Sequence, residues 1–118
     1  MAWIVAFHDE FETEFVALAE AVQDELLAQA RMLGQLGPTM GRPRVDTLAG
    51  SRHANMKELR FEADGGVWRV IFAFDPLRTG ILLVAGDKSG VGQRRFYRSL
   101  IAKADTRFDA HLKRLKEM

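Results

Sequence analysis

A two-residue turn, Asp64-Gly65, stands between two stretches built of β-forming residues, Met56 to Ala63 and Gly66 to Phe74. An Asp-Gly pair accepts the positive φ values that a tight hairpin loop requires, and is among the strongest short-range hairpin signals. The turn also sets the register of the strands. With Ala63 opposite Gly66, Phe61 faces Trp68, Leu59 faces Val70, Glu58 faces Ile71, and Arg60 lies directly across from Arg69. Like charges at that spacing repel. A sheet that keeps two guanidiniums together therefore calls for an anion between them, and the planar fork of arginine suits phosphate.

The rest of the chain can be arranged around this hairpin. Ala2 to Phe7 is a short apolar run that reads as a strand. Asp9 then caps a helix, with Glu12 as its capping-box partner. Phe11, Phe15, Leu18, Val22, Leu26, Ala30 and Leu33 recur at helical spacing until Gly34 and Gly37-Pro38. One helix from Asp9 to Leu36 would be roughly 42 Å long, too long for a small domain, so two helices are expected, with a break near Leu18 to Ala21. Gly37 to Arg52, with its prolines and glycines, reads as a connecting loop.

A third strand, Ile81 to Gly86, follows the turn Asp75 to Gly80 and completes an antiparallel meander. Trp68, Val70, Phe72 and Phe74 share a face with Leu59 and Phe61, and that face should pack on the helices. Glu58, Arg60, Arg69, Ile71 and Ala73 lie on the other. From Gln93 onward Phe96, Leu100, Ala104, Phe108, Leu112 and Leu115 form one stripe of a terminal helix, with basic residues, Arg107 among them, around it. The expected fold class is α+β: an N-terminal strand, a helical hairpin, a three-stranded antiparallel meander and a C-terminal helix, helices packed on one sheet face, in one domain over residues 1–118.

Composition narrows the function. The chain has 118 residues, of which 47% are hydrophobic and 28% charged, as expected of a soluble globular domain. It has no cysteine, which removes disulfides and thiolate metal sites. His8, His53 and His111 lack ligand spacing, so neither a metal nor another cofactor is expected. Its apolar start is too short for a secretory core, and no run is long enough to span a bilayer; a cytoplasmic location is the default. The net charge of +1 hides an asymmetry: seven acids against one base up to Leu36, then sixteen Lys and Arg against nine acids from Arg42 onward. Such a split points either to a polyanion partner or to acids gathered in the first turns of solvated helices.

The element order, with Gly50-Ser51-Arg52-His53, Asn55-Met56-Lys57-Glu58-Leu59-Arg60, Trp68-Arg69-Val70, Ala73-Phe74-Asp75-Pro76, Gly86-Asp87-Lys88-Ser89-Gly90 and Phe96-Tyr97, resembles the RelE/ParE superfamily of toxins and, within it, the HigB-like, phage-derived branch. The resemblance covers nearly the whole chain. It implies a RelE-like fold and the toxin of a type II toxin-antitoxin system, commonly a ribosome-dependent mRNA endonuclease. Implied partners are a helix-turn-helix antitoxin, the ribosome and mRNA, with no membrane. The superfamily also contains gyrase poisons that cut no RNA, and a decayed antitoxin-binding module is a further alternative. Where relatives often carry Trp-Tyr at the start of the last helix, this chain has Phe96-Tyr97, which weakens the case for stacking by Phe96.

Metal-free RNA cleavage uses the substrate's 2′-OH as nucleophile and needs a base, cations on the phosphoryl oxygens and an acid for the leaving oxygen. Arg60 and Arg69 are the candidate clamp; the alternative is that Glu58 or Glu62 neutralises Arg60. The resemblance adds Lys57, Lys88 and Tyr97 as catalytic candidates. Lys57 has the parity of Leu59 and Phe61, so it joins the clamp only through a bulge or an edge twist. Lys88 lies in a glycine-bounded loop able to bring backbone N–H groups to a phosphate. Arg94, Arg95 and Arg98 on the terminal helix, and His53 before Lys57, are RNA-binding candidates, against a solvated face and an ordinary surface histidine.

Overall fold

The computed structural model describes residues 2–118. Its elements are β1 (Ile4–Phe7), α1 (Asp9–Phe15), α2 (Glu20–Leu36), a single 3₁₀ turn Gly37–Thr39, β2 (Val45–Thr47), β3 (Lys57–Ala63), β4 (Gly66–Phe74), β5 (Thr79–Asp87) and α3 (Gln93–Lys116). The five strands make one sheet in the order β1-β5-β4-β3-β2. β1 runs parallel to β5, and the other pairs are antiparallel.

The hairpin is as its turn dictates. Asp64 has φ 51° and Gly65 φ 73°, the two positive values of a type I′ loop. Its ladder runs without a break from Ala63 opposite Gly66 to Lys57 opposite Phe72, with Arg60 opposite Arg69. The predicted apolar face is buried under α1 and α2: Leu59, Val70 and Phe72 pack with Phe11, Val22, Leu26 and Leu33. Each such fully covered side chain contributes roughly 1.5–3 kcal/mol over its exposed state.

The helical break follows a side chain rather than a glycine or proline. α1 ends at Phe15 and α2 begins at Glu20, slightly earlier than the expected interval. Gln23 Nε2 donates to the carbonyls of Phe15, Val16 and Leu18 at 3.0–3.2 Å, which satisfies acceptors that the interruption sets free. The cap of α1 also differs from expectation. His8, not Asp9, is the N-cap, and its Nδ1 accepts from Glu10 N at 3.2 Å. Burial holds the His8 pKa below its usual 6.5. A base whose folded pKa is depressed stabilises the fold fully above its unfolded pKa and loses that contribution as pH falls through the folded value. Stability should therefore start to decline below about pH 6.5, and His8→Asn, which keeps a capping acceptor, should flatten that part of a melting-temperature profile. An unchanged slope would rule the histidine out as its source.

Two further features depart from the sequence reading. The segment expected to be only loop contains β2, an edge strand too short to show alternation, paired with β3 through Val45 opposite Leu59. The helices also lie on both sheet faces. α3 covers the second face, where Met56, Ile71, Ala73, Ile81 and Leu83 meet Ala104 and Phe108. One face holds only α1 and α2, and the stripe of α3 needs its own apolar surface.

That surface is shaped by a bulge in β5: Ile71 pairs with Val84 but Phe72 with Leu82, which leaves Leu83 unpaired in the ladder. The Leu83 carbonyl accepts from Arg107 Nη1 at 2.7 Å, and the same guanidinium holds Glu14 of α1. Arg107, expected on a solvated face, is thus buried and joins three elements. Further along β5, Gly86 lies under the start of α3, where an added Cβ would come within 3.0 Å of Phe96 and Leu100.

Candidate functional site

β3, the segment just before it and the N-terminal half of α3 form the walls of a groove of about 840 Å³. Arg60 and Glu58 of β3, Arg52 and Leu48 from the segment before it, and Arg94, Tyr97 and Arg98 of α3 are among the residues that line it. The segment is tied to the helix by Asp105, which accepts from Ser51 Oγ at 2.5 Å and from Arg52 N at 3.1 Å.

The two arginines share one sheet face but not one environment, since Arg60 lines the groove and Arg69 does not. Glu58 lies between them, 3.7 Å from Arg60 Nη2 and 3.4 Å from Arg69 Nε, and its carboxylate is almost wholly buried. The carboxylate alternative foreseen in the sequence is therefore partly realised: one shared anion serves two cations, and one positive charge is left over. The Arg60 side chain is 35% exposed and that of Arg69 only 11%. Arg60 Nε is buried without a hydrogen-bond partner, whereas Arg69 is fixed by Nη1 donating to Trp68 O at 2.9 Å and Nε to Tyr97 Oη at 3.3 Å. Arg60 faces the groove, and Arg69 braces what lies behind it.

Tyr97 joins the helix to this pair. Its hydroxyl donates to Glu58 Oε1 at 2.6 Å. Burial first, and then the bond to Glu58, push its pKa above the usual phenol value, so the proton stays on the ring oxygen.

Other candidates are placed differently. Lys57 does not meet the pair: the ladder contains no bulge between it and Arg60, so it keeps the parity of Leu59 and Phe61, and it does not line the groove. Lys88 follows β5 outside the groove. The N–H groups its loop was expected to offer are already engaged: Lys88 N with Val67 O at 2.7 Å, Ser89 N with Asp87 Oδ1 at 2.9 Å. His53 pairs with Asp109 at 2.7 Å against the ring of Phe108, away from the groove. Arg95 is exposed but does not line the groove. His111 pairs with Asp75 at 2.8 Å and His8 caps α1, so the three histidines occupy separate places.

Two of the lining residues that were not singled out as site candidates from the sequence bear on the charge of the groove. Glu58 was legible by parity, being on the face of Arg60, but nothing local said that both arginines would close on it. Arg52 reaches the groove only because Asp105 anchors its backbone, and it also pairs with Asp109. Arg94 and Arg98 are exposed and make no ion pair among the described residues. Gly92 begins α3 without a side-chain cap, and no acid lies in the first turn, so the positive end of the helix dipole adds to the rim.

Residues 13–109 match the family described as Phage derived protein Gp49-like (DUF891). Two proteins of Mycobacterium tuberculosis (strain ATCC 25618 / H37Rv) named as toxins are similar to the chain. HigB2 is 43% identical over 93 residues, covering 78% of this chain and 46% of its own length, so the chain spans about half of that relative. HigB3 is 42% identical over 98 residues and is covered to 83%, as is this chain. Among solved structures, a mutant of Escherichia coli toxin RelE in the free state superposes with a TM-score of 0.60 at 12% identity, covering 91% of this chain and 98% of that one. A chain of the archaeal RelE-RelB complex from Pyrococcus horikoshii OT3 gives 0.54 at 19%, covering 77% and 100%. At such identities the likeness is one of fold, and it agrees with the RelE-like α+β arrangement.

Proposed function

Because this chain belongs to the phage-derived Gp49-like family, we propose that it is the toxin of a type II toxin-antitoxin pair and acts as a metal-independent endoribonuclease on ribosome-bound mRNA. The observation that carries this reading is Arg60, held beside Arg69 on one sheet face and open to a groove rimmed by Arg52, Arg94 and Arg98. A polyanion entering there meets several guanidiniums, and the acids that line the groove, Glu58 and Asp105, are already engaged inside the protein. The phosphate next to the scissile bond replaces the long contact from Arg60 to Glu58 and receives the terminal Nη donors of Arg60. Those donors gain strength as charge builds on the phosphoryl oxygens. The substrate's 2′-OH attacks phosphorus and the 5′ oxygen leaves.

An antitoxin protein is the expected partner, a reading supported by the archaeal RelE chain having been solved as a RelE-RelB complex; the helix-turn-helix type is what the family resemblance implies. Lys57, Lys88, His53 and Arg95 have no part in this reading, since none lines the groove. The partial neutralisation of the arginine pair by Glu58 favours one competitor, a non-catalytic toxin that occupies a host target such as DNA gyrase.

Mapping mRNA 5′ ends during translation in the presence of the purified protein separates the two. Discrete new ends, reduced by at least about tenfold with Arg69→Ala, are the expected result. Intact mRNA together with inhibited topoisomerase would establish the competitor.

A further inference from the structure

β1 lies last in the sheet order and pairs only with β5, so its outer edge has no strand beside it. Native edges are normally kept from adding strands by a charge, a proline or a bulge. β2, at the opposite edge, carries Asp46 in an ion pair with Arg42. β1 reads Ile4-Val5-Ala6-Phe7, without a charge or a proline, and its ladder to β5 is unbroken. We propose that this edge is the docking surface for an extended, acidic segment of a partner protein, which adds a sixth strand beside β1. That partner is the antitoxin, and in this the proposal rests on the toxin-antitoxin reading given above.

The backbone and both faces of the edge suit such a strand. His8 N donates to Leu82 O at 2.9 Å, and with the register of the ladder this turns Ile4, Ala6 and His8 toward β5 and Trp3, Val5 and Phe7 outward. Trp3 N is already taken by Gly34 O at 2.7 Å. Val5 is then the middle of the edge, its N–H and C=O directed to where an added strand would run. Alternate side chains of that strand would meet opposite faces of the sheet. On one face a pocket of about 320 Å³ is lined by Trp3, Val5, Leu27, Ala30, Arg31 and Gly34. Gly34 lets α2 lie this close, since an added Cβ would come within 3.2 Å of the Trp3 carbonyl. On the other face Ile4 is 67% exposed, although Ala6, of the same parity, packs against the core.

Charge selects the occupant. Arg31 lines the pocket, and the guanidinium of Arg78 lies over the Trp3 ring, 4.4 Å from its centroid. Both are exposed, and neither pairs with an acid among the described residues. No acid lines the pocket either. A second copy of this chain set edge to edge would bring the same arginines together with nothing from the pocket to neutralise them. A segment with one apolar side chain for the pocket and carboxylates for Arg31 and Arg78 answers the whole surface. β5 and β4 separate this edge from β3, so the segment does not itself fill the groove of Arg60.

The test titrates the antitoxin encoded beside this chain into wild type, Leu27→Glu and Arg31→Glu by calorimetry, with Lys113→Glu on α3 as the control. Leu27 and Arg31 are exposed, so both variants should fold and should cleave mRNA as wild type does. Each is expected to weaken antitoxin binding by at least about tenfold, while Lys113→Glu binds normally. Amide exchange followed by NMR should show the Val5 N–H protected in the complex and not in the free chain. Normal affinity of both edge variants, or a Val5 amide that exchanges equally fast with and without antitoxin, would overturn the docking surface and leave the toxin reading in place. Tighter binding by Arg31→Glu would mean a basic segment and would overturn it as well. So would a wild-type dimer that Leu27→Glu dissociates, since the occupant would then be a second copy. Failure of the antitoxin to bind wild type at all removes the docking surface and the toxin-antitoxin reading together.

Discussion

Arg60→Ala is expected to lower mRNA cleavage by roughly 10²–10³-fold, the loss seen when one preorganised donor is removed from a developing oxyanion, while the melting temperature hardly moves. The two halves of this prediction have separate grounds. The Arg60 side chain is a third exposed, its contact with Glu58 is long at 3.7 Å, and its Nε has no partner. Removing it also relieves repulsion with Arg69 across the ladder. The strand loses nothing in its backbone, since Arg60 N still donates to Arg44 O. Arg98→Ala, at the rim, should weaken binding and its salt dependence with a much smaller effect on the chemical step. Cleavage by Arg60→Ala at the wild-type rate would show that the groove-facing arginine does not touch the reacting phosphate.

The largest expected effect on stability lies elsewhere, at Arg107. Its guanidinium is buried, and it supplies the partner for the Leu83 carbonyl, which the bulge leaves out of the ladder. Arg107→Ala strands that acceptor, at a cost of about 1–3 kcal/mol, and also removes the stem that packs beneath α3. Thermal unfolding should shift down by on the order of 10 °C. Glu14→Gln should cost much less, because the Glu14 side chain is 40% exposed and can be rehydrated. Arg107 holds the Glu14 pKa below its usual value, so this pair stabilises above the unfolded carboxylate pKa and loses its effect as pH falls through the lower folded one. A loss from Arg107→Ala no larger than that from Glu14→Gln, measured by calorimetry, would mean that the ion pair, not the bulge carbonyl, is what matters.

These two arginines also mark what could be read before any coordinates. The Arg60 position followed from one turn and a period of two, because Asp64-Gly65 fixes the hairpin and the hairpin fixes every cross-strand pair. The apolar face under α1 and α2 was legible for the same reason. Arg107 was not legible: in the helical pattern it looks like its neighbours Lys103 and Lys113, and its burial depends on an unpaired residue in a strand far away in sequence. α3 posed a similar problem, since an amphipathic stripe says that a helix has a covered side but not which sheet face covers it. At the site, the residue types and the face were predictable, but the closing of both arginines on Glu58 depends on where α3 brings Tyr97. β2 escaped notice because three residues carry too little pattern.

The nature of the cut ends tests the central claim most directly. Mass spectrometry of mRNA fragments cleaved during translation should find 2′,3′-cyclic phosphate and 5′-hydroxyl termini, with cleavage abolished when the nucleotide before the cut lacks its 2′-OH. Fragments ending in 5′-phosphate, or cutting that persists without that hydroxyl, would contradict attack by the substrate's own sugar over the arginine pair.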